Sequence, residues 1–212
     1  VMEMILLAEE TGVRLHLSQL SCARSVDMLA EARRRGVAVT ADVAMHQLIF
    51  TESALAGFDS RFHVRPPLRR EADRKALIAG VRAGTIDAIV SQHQPHDSAA
   101  KQAPLAATEP GLSSVESVLS LGLELVELNE MTLPELVRAL TAGPAAAIGR
   151  KASLAEGEIA DLCVFDPEEY WTPGKDTLVS AGRHAPITGR ELPGVVRLTV
   201  AAGRIAWQPV AG

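Results

Sequence analysis

The chain has 212 residues, of which 47% are hydrophobic and 22% charged, and its formal net charge is -5. This length and mixture are ordinary for a folded globular protein and argue against a disordered chain. Because the net charge is negative and the longest run of cations is Arg33–Arg35, the sequence excludes a cationic surface for nucleic acid. No apolar run approaches the ~20 residues that a membrane-spanning helix needs.

The cysteines and the opening segment indicate the cellular compartment of the protein. Cys22 and Cys163 lie far apart and outside any metal-type spacing, which predicts a reduced, cytoplasmic protein. The opening segment is interrupted by Glu3 and has no basic region, so no export signal is predicted. The chain opens inside a helix-like stretch without a capping residue, and we therefore expect further residues upstream.

The first part of the chain alternates between helix-like and strand-like patterns. Three helices are predicted, each ending at a glycine: 1–11, 25–35 and 71–83. Three short apolar strands are predicted at 13–18, 37–43 and 86–91. Strands separated by helices form right-handed parallel units, so the fold class is α/β, with a parallel sheet or barrel.

A long polar loop is predicted over residues 92–113. A loop of this length in a compact domain is usually functional, so we interpret it as an active-site loop. Two helices follow at 114–127 and 134–142, the second with Thr132 and Glu135 in capping-box spacing.

The character of the sequence changes after residue 150. Short β-type runs punctuated by Gly and Pro are predicted at 160–165, 195–200 and 204–207. We therefore predict two domains, a partial (β/α) barrel over residues 1–150 and a β-rich segment over residues 151–212.

Polar side chains stand at the ends of the three predicted strands. They are His16 with Ser18, His46 with Gln47, and Gln92 with His93 and His96. The carboxyl ends of parallel barrel strands open on one face, so these side chains are expected to converge there. A single histidine near a strand end is more often structural, but several converging imidazoles indicate a site for a zinc-like ion.

Five motifs in this order resemble the second half of dihydroorotases, and the resemblance covers nearly the whole chain. They are His16-Leu17-Ser18, residues 40–46, residues 65–69, residues 84–89 leading to His93-Gln94-Pro95-His96, and a closing part that includes Ala160-Asp161-Leu162 and Phe165-Asp166-Pro167. The resemblance implies a TIM-type (β/α)8 amidohydrolase barrel, of which these residues form the C-terminal half, and part of a small β-sandwich.

The resemblance also implies one or two zinc ions, whose activated hydroxide opens or closes a cyclic amide. By position, His16 and His46 match two metal-ligand histidines of the family. His96 matches a histidine that contacts the substrate, and the loop that ends at Gly111 matches a stretch whose backbone lines the substrate pocket. Arg65, in the same set of substrate positions, replaces the asparagine that the family usually carries.

Gln92 is the main departure from the family pattern. The family has an aspartate here, which ligates metal and moves the proton. Gln92 has no ionisable group, so it cannot serve as a general acid or base. Its neutral amide also supplies no charge to compensate a divalent cation. The family's remaining ligands, a His-x-His pair and a bridging lysine, belong to the half of the barrel that is not in this sequence.

Three hypotheses follow. The string from His93 to His96, with Lys101 and residues 103–111, looks most like dihydroorotase-like chains that have lost activity and serve, in some bacteria, as structural partners of aspartate carbamoyltransferase. The first hypothesis is therefore an inactive protein of de novo pyrimidine biosynthesis, with or without zinc. The second is an active zinc-dependent dihydroorotase or a related cyclic amidohydrolase. The third is an α/β domain with no site.

An open half-barrel exposes strand edges and apolar surface. We therefore predict that the 212-residue chain by itself is not a well-behaved monomer, and that it forms a hetero- or homo-oligomer.

Overall fold

The computed structural model of the chain describes residues 1–209. The first half contains helices α1 (Met2–Thr11), α2 (Ala23–Arg34), α3 (Met45–Ile49) and α4 (Glu71–Arg82), and strands β1 (Leu15–Leu17), β2 (Val39–Ala44) and β3 (Ala88–Val90). The second half contains helices α5 (Val118–Glu127), α6 (Leu133–Leu140) and α7 (Ala142–Ala147), and strands β4 (Leu162–Trp171), β5 (Leu192–Ala201) and β6 (Arg204–Trp207).

The first three strands form a parallel sheet in the order β1-β2-β3. His16 lies opposite Thr40, and Val43 lies opposite Ile89. The central strand β2 is the most buried, because helices pack on the apolar side chains around it; Ala41 and Val43 have no exposed surface. The expected α/β fold class with parallel strands is therefore confirmed for this part of the chain.

The predicted helices form within a few residues of their expected bounds. Gly12 ends α1 in the left-handed conformation, with φ 69°, which glycine adopts without steric cost. The capping box at α6 is present, since the Thr132 side chain accepts from the Glu135 amide and the Glu135 carboxylate accepts from the Thr132 amide. The short helix α3 was not predicted, because His46 and Gln47 were interpreted as the polar end of a strand.

Arg33 organises the amino-terminal end of the parallel sheet. Its guanidinium donates to the carbonyls of Val39 and Gly84, at 3.1 and 2.7 Å, and to the Asp87 carboxylate. The same carboxylate accepts from the Ala41 amide at 2.8 Å. One partly buried ion pair thus joins the end of α2 to the start of β2 and to the turn before β3.

Strands β4, β5 and β6 form a separate antiparallel sheet in that order. The register between β4 and β5 is irregular, and β4 runs through Pro167 to Trp171, further than predicted. Strand β5 begins at Leu192, earlier than predicted, and packs on α5: a Cβ added at Gly194 would lie 2.4 Å from Leu123 Cδ1. The domain boundary after residue 150 stays a prediction.

Within residues 1–209, no helix combines the length and apolar character needed to cross a bilayer. Cys22 is partly buried and Cys163 is exposed, and both are free thiols.

Candidate functional site

A cleft of about 800 Å³ opens where β1 and β3 end. Its lining residues are Gln19, Arg65, Pro66, Gln92, His93, Gln94 and Pro110. The predicted site residues Gln92 and Arg65 therefore share one cleft. The cleft lies at the carboxyl-terminal end of the parallel sheet, where ligands of α/β folds commonly bind.

Gln92 bridges two walls of the cleft. Its backbone is in the left-handed region, with φ 49°, an uncommon conformation for a residue with a side chain. Its Nε2 donates to the Arg65 carbonyl oxygen at 2.6 Å and to Gln19 Oε1 at 2.9 Å. Its Oε1 is buried and has no hydrogen-bond partner in residues 1–209. The side chain therefore acts as a neutral donor that joins neighbouring segments.

Asp42 belongs to this end of the sheet, although the sequence patterns did not reveal it. Its side chain is only 7% exposed. Oδ2 accepts from Ser18 Oγ and contacts His16 Nε2, both at 2.9 Å, and Oδ1 accepts from the Gln19 amide at 2.7 Å. The sequence did contain one signal for this role, namely a carboxylate within a mostly apolar strand. A buried charge requires hydrogen-bond partners, so polar groups should lie around Asp42.

His16 is held by protein partners at both ring nitrogens. Nε2 contacts Asp42 Oδ2 at 2.9 Å, and Nδ1 contacts Thr40 Oγ1 at 2.8 Å. The side chain is 40% exposed. A metal ion that bound His16 would have to displace one of these two partners.

His46 contrasts with His16, because it lies in the first turn of α3 and is only 3% exposed. Neither ring nitrogen has a hydrogen-bond partner within residues 1–209. Burial lowers the pKa of His46 to about 4, so the ring is neutral at physiological pH. A buried, unpartnered imidazole is destabilising unless another group pairs with it.

The donors of the described residues do not form a zinc site. The geometry in residues 1–209 brings no three His, Cys, Asp or Glu side chains together as a metal-binding group. His16 is held by Asp42 and Thr40, and Gln92 offers an amide donor to its neighbours. Of His16, His46 and Gln92, only His46 has ring nitrogens without a partner in residues 1–209. A catalytic zinc site usually has three protein ligands, so these residues do not fit the ion by themselves.

Arg65 supplies the positive charge of the cleft. It precedes Pro66 through a cis peptide bond, and the Pro66 carbonyl accepts from Gln47 Nε2 at 2.9 Å. Two other arginines of this segment are paired, Arg61 with Asp59 and Arg70 with Glu52. Arg65 is exposed and has no such carboxylate partner in residues 1–209.

His96 and Gly111 lie behind the wall of the cleft. His96 Nε2 donates to the Pro110 carbonyl at 3.0 Å. Gly111 has φ 136°, and a Cβ added there would lie 2.6 Å from the Gln94 carbonyl oxygen and 3.0 Å from His96 Nε2. Glycine is therefore required here by both backbone conformation and space. The structure brings these two predicted residues together and places them next to the cleft.

Lys101 fixes the loop that carries Pro110. Its side chain is buried, and Nζ donates to the Glu109 carbonyl at 2.6 Å, with longer contacts to the carbonyls of Ser60 and His63 at 3.3 and 3.5 Å. Burial lowers the pKa of the Lys101 ammonium, and nearby Glu109 opposes that shift. The ammonium thus joins the two segments that continue to Arg65 and Pro110 at the cleft.

Comparisons with known proteins agree on one family. Residues 2–206 match the Amidohydrolase family. A dihydroorotase-like protein of Pseudomonas aeruginosa is 48% identical over 202 residues, which are 95% of this chain and 48% of that protein. A dihydroorotase of Thermoanaerobacter sp. is 38% identical over 205 residues, which are 96% of this chain and 48% of that protein. The chain thus spans about half the length of these curated relatives.

The fold has counterparts among solved structures. The L-hydantoinase (dihydropyrimidinase) of Arthrobacter aurescens superimposes with a TM-score of 0.89 at 24% identity. The match covers 97% of this chain and 47% of the hydantoinase chain. At this identity the likeness concerns the fold alone.

Proposed function

Because this chain belongs to the amidohydrolase family, and within it to the dihydroorotases, we propose that it is part of a non-catalytic dihydroorotase-like protein of pyrimidine biosynthesis. Its α/β amidohydrolase fold would then serve as a structural partner of aspartate carbamoyltransferase. A curated relative of Pseudomonas aeruginosa bears the name dihydroorotase-like protein, which is in keeping with this proposal.

The proposal includes the architecture of the whole protein. We take β1 to β3 and their helices as part of the C-terminal half of a (β/α)8 barrel, and β4 to β6 as part of a small sandwich. Support comes from the parallel order β1-β2-β3 and from relatives about twice as long as this chain. The other half of the barrel would supply the strands that β1 and β3 pair with on their outer sides.

Gln92 carries the proposal. A hydrolytic site needs a group near the reacting bond that takes up and returns a proton, and a carboxamide cannot do so at ordinary pH. The amide is also engaged as a hydrogen-bond donor, because its Nε2 donates to the Arg65 carbonyl and to Gln19 Oε1. No proton acceptor is left at the position where the family carries its aspartate.

The test is a cyclisation assay of the whole protein with N-carbamoylaspartate and added zinc. We expect no turnover above that of zinc in buffer. The dihydroorotase of Thermoanaerobacter sp., assayed in parallel, serves as the positive control. Turnover by this protein at ordinary enzymatic rates, about 1 per second or more, would reject the non-catalytic function.

The partner role has its own test. The whole protein and the aspartate carbamoyltransferase of the same organism are mixed, and the complex is measured by sedimentation. We expect one heavier species that contains both proteins. Independent sedimentation at micromolar concentrations would exclude a stable complex of this kind.

His46 favours an alternative function, an active zinc-dependent dihydroorotase or related cyclic amidohydrolase. Its two nitrogens are buried and unpartnered in the described residues, and a neutral imidazole is a good zinc ligand. Metal analysis of the whole protein separates the two functions. Near-stoichiometric zinc that is lost in His46→Ala supports the alternative, whereas a folded, metal-free protein counts against it.

A further inference from the structure

A cavity of about 620 Å³ lies between helix α5 and the antiparallel sheet, beside the cleft that contains Gln92. We propose that this cavity is a second binding site and that it takes small aromatic amines. It shares only His93 with the cleft, and its other lining residues come from α5, the segments 115–116 and 177–180, and strands β4, β5 and β6. Binding there does not depend on whether the cleft is catalytic, so this role goes beyond the proposed function.

Two tryptophans supply the aromatic walls of the cavity. Trp171 lies on β4 and Trp207 on β6, the two strands that flank β5. Aliphatic side chains complete the lining around them, among them Leu119 of α5 and Val196 of β5. Indole rings stack on other aromatic rings, and their faces attract cations. A planar apolar ring that carries a positive group therefore fits this lining.

Several polar side chains of the lining are already paired inside the protein. Trp171 Nε1 donates to Ser120 Oγ at 2.8 Å, and Ser120 Oγ in turn contacts the Gly194 carbonyl at 3.4 Å. Ser180 Oγ contacts Ser113 Oγ at 3.2 Å. Because these groups satisfy one another, the cavity offers a ligand mainly apolar surface, and burial of that surface would provide most of the affinity.

Glu116 gives the cavity a negative charge. Its carboxylate accepts from the backbone amides of Val179 and Ser180, at 2.9 and 2.8 Å, which joins it to the wall formed by residues 177–180. In the part of the chain that the structure describes, the lining includes no lysine or arginine. Backbone amides are neutral and leave the charge of the carboxylate in place. The lining therefore favours a cation over a neutral molecule and a neutral molecule over an anion.

Three apolar side chains of the lining are exposed to solvent. Val179 is 87% exposed, and Val115 and Trp207 are about half exposed. An aromatic ring bound beside them would remove this surface from water, which favours binding. No lining residue belongs to β1 or β3, whose outer edges would pair with the other half of the proposed barrel. The cavity is therefore separate from those two edges.

The experiment measures binding to the whole protein by ligand-observed NMR titration. The probes are tryptamine, indole and indole-3-acetate, which share one ring system and are respectively cationic, neutral and anionic at neutral pH. We expect saturable binding of tryptamine with a dissociation constant below about 1 mM, and weaker binding of indole. The dissociation constant of indole-3-acetate should be at least about tenfold higher than that of tryptamine. Higher ionic strength should narrow this difference.

Trp207→Ala tests whether the probes bind in this cavity. We expect it to raise the dissociation constant of tryptamine at least about fivefold, because one aromatic wall is lost. Tyr170→Ala is the matched control, since Tyr170 is an aromatic residue of the same sheet, is 47% exposed against 46% for Trp207, and does not line the cavity. It should leave affinity within about twofold. Thermal unfolding of both variants confirms that they are folded.

Glu116→Gln tests the charge. Glutamine has the size of glutamate and keeps one acceptor oxygen, but it is neutral. We expect the ratio of the dissociation constants of indole-3-acetate and tryptamine to fall at least about fivefold. The ratio is the informative quantity, because a shift of residues 177–180 would weaken both probes alike and leave it unchanged.

Three results would overturn the proposal. The first is no saturable binding of tryptamine, as expected if another segment of the whole protein fills the cavity. The second is equal affinity of tryptamine for Trp207→Ala and Tyr170→Ala, which would place the ligand elsewhere. The third is an unchanged ratio in Glu116→Gln, which would remove the basis for selecting amines. Each result leaves the non-catalytic function standing, because that function is tested separately by turnover of N-carbamoylaspartate.

Discussion

The two ends of the parallel sheet differ in how completely their polar groups are paired. At the amino-terminal end, Arg33 and Asp87 bind each other and backbone groups of the surrounding strands and turns. At the carboxyl-terminal end, His46 and Gln92 Oε1 are buried without partners in the described residues, and Gln19 and Gln92 have positive φ angles. One end thus stabilises the fold, and the other retains unpaired groups, as functional sites do.

The largest effect should come from acidification, through His46. Below pH 6.5 the unfolded chain takes up a proton on this imidazole, whereas the folded chain resists it until about pH 4. The free energy of unfolding should therefore fall as the pH drops through this window, by about 3 kcal/mol from this residue. Denaturant unfolding of the whole protein at several pH values measures it.

His46→Leu is the matched variant for this prediction. Leucine does not titrate. Between pH 6.5 and pH 4, the free energy of unfolding of the variant should therefore fall by about 3 kcal/mol less than that of the wild type. All other ionisable groups are common to both proteins, so the difference between the two curves isolates this site. Parallel curves would show that His46 has a partner that keeps it from titrating in this way.

At the paired end, Arg33→Met should destabilise the protein by about 2 kcal/mol, because Asp87 and two carbonyls lose a partly buried partner. Arg34→Met is the control. Arg34 is 73% exposed and, within residues 1–209, pairs only with Glu31, so its loss should change the free energy of unfolding by less than about 0.5 kcal/mol. If the two substitutions lowered the free energy of unfolding equally, the pairing of Arg33 with Asp87 would stabilise the fold no more than an exposed ion pair does.

The smallest effect should be local, at Lys101. Lys101→Met removes the ammonium that joins the loop to the Ser60–His63 segment. We expect this substitution to lower the free energy of unfolding by about 1 kcal/mol. The Gly111 amide, which donates to the His63 carbonyl at 2.8 Å, should then exchange its hydrogen faster. Lys75→Met removes an exposed lysine and should not change that rate. An unchanged rate in Lys101→Met would show that the loop is held by its other contacts.

The sequence was sufficient for the elements whose formation depends on local signals. Helix periodicity, the glycine after α1 and the capping box of Thr132 and Glu135 all act within a few residues, and the structure confirms them. The alternation of strands and helices likewise predicted the parallel sheet. Strand β6 was predicted at its observed bounds, whereas β4 and β5 are longer than the predicted runs 160–165 and 195–200, and β4 continues past Pro167.

The site depends on contacts between distant residues, which local patterns do not encode. Gln92 was recognised as a departure from the family, but its bridge to Gln19 joins residues 73 positions apart and requires an unusual backbone conformation. The role of Asp42 was missed for the same reason, since its partners come from the turn after β1. The helix α3 was missed because His46 and Gln47 are polar yet buried.

The outer edges of β1 and β3 have a practical consequence for protein production. In residues 1–209 each strand pairs only with β2, so both display a row of backbone donors and acceptors on the other side. Expressed alone, the 212-residue polypeptide should collect in inclusion bodies, because neighbouring molecules can continue the sheet. Co-expression with the other half of the proposed barrel should shift it into the supernatant.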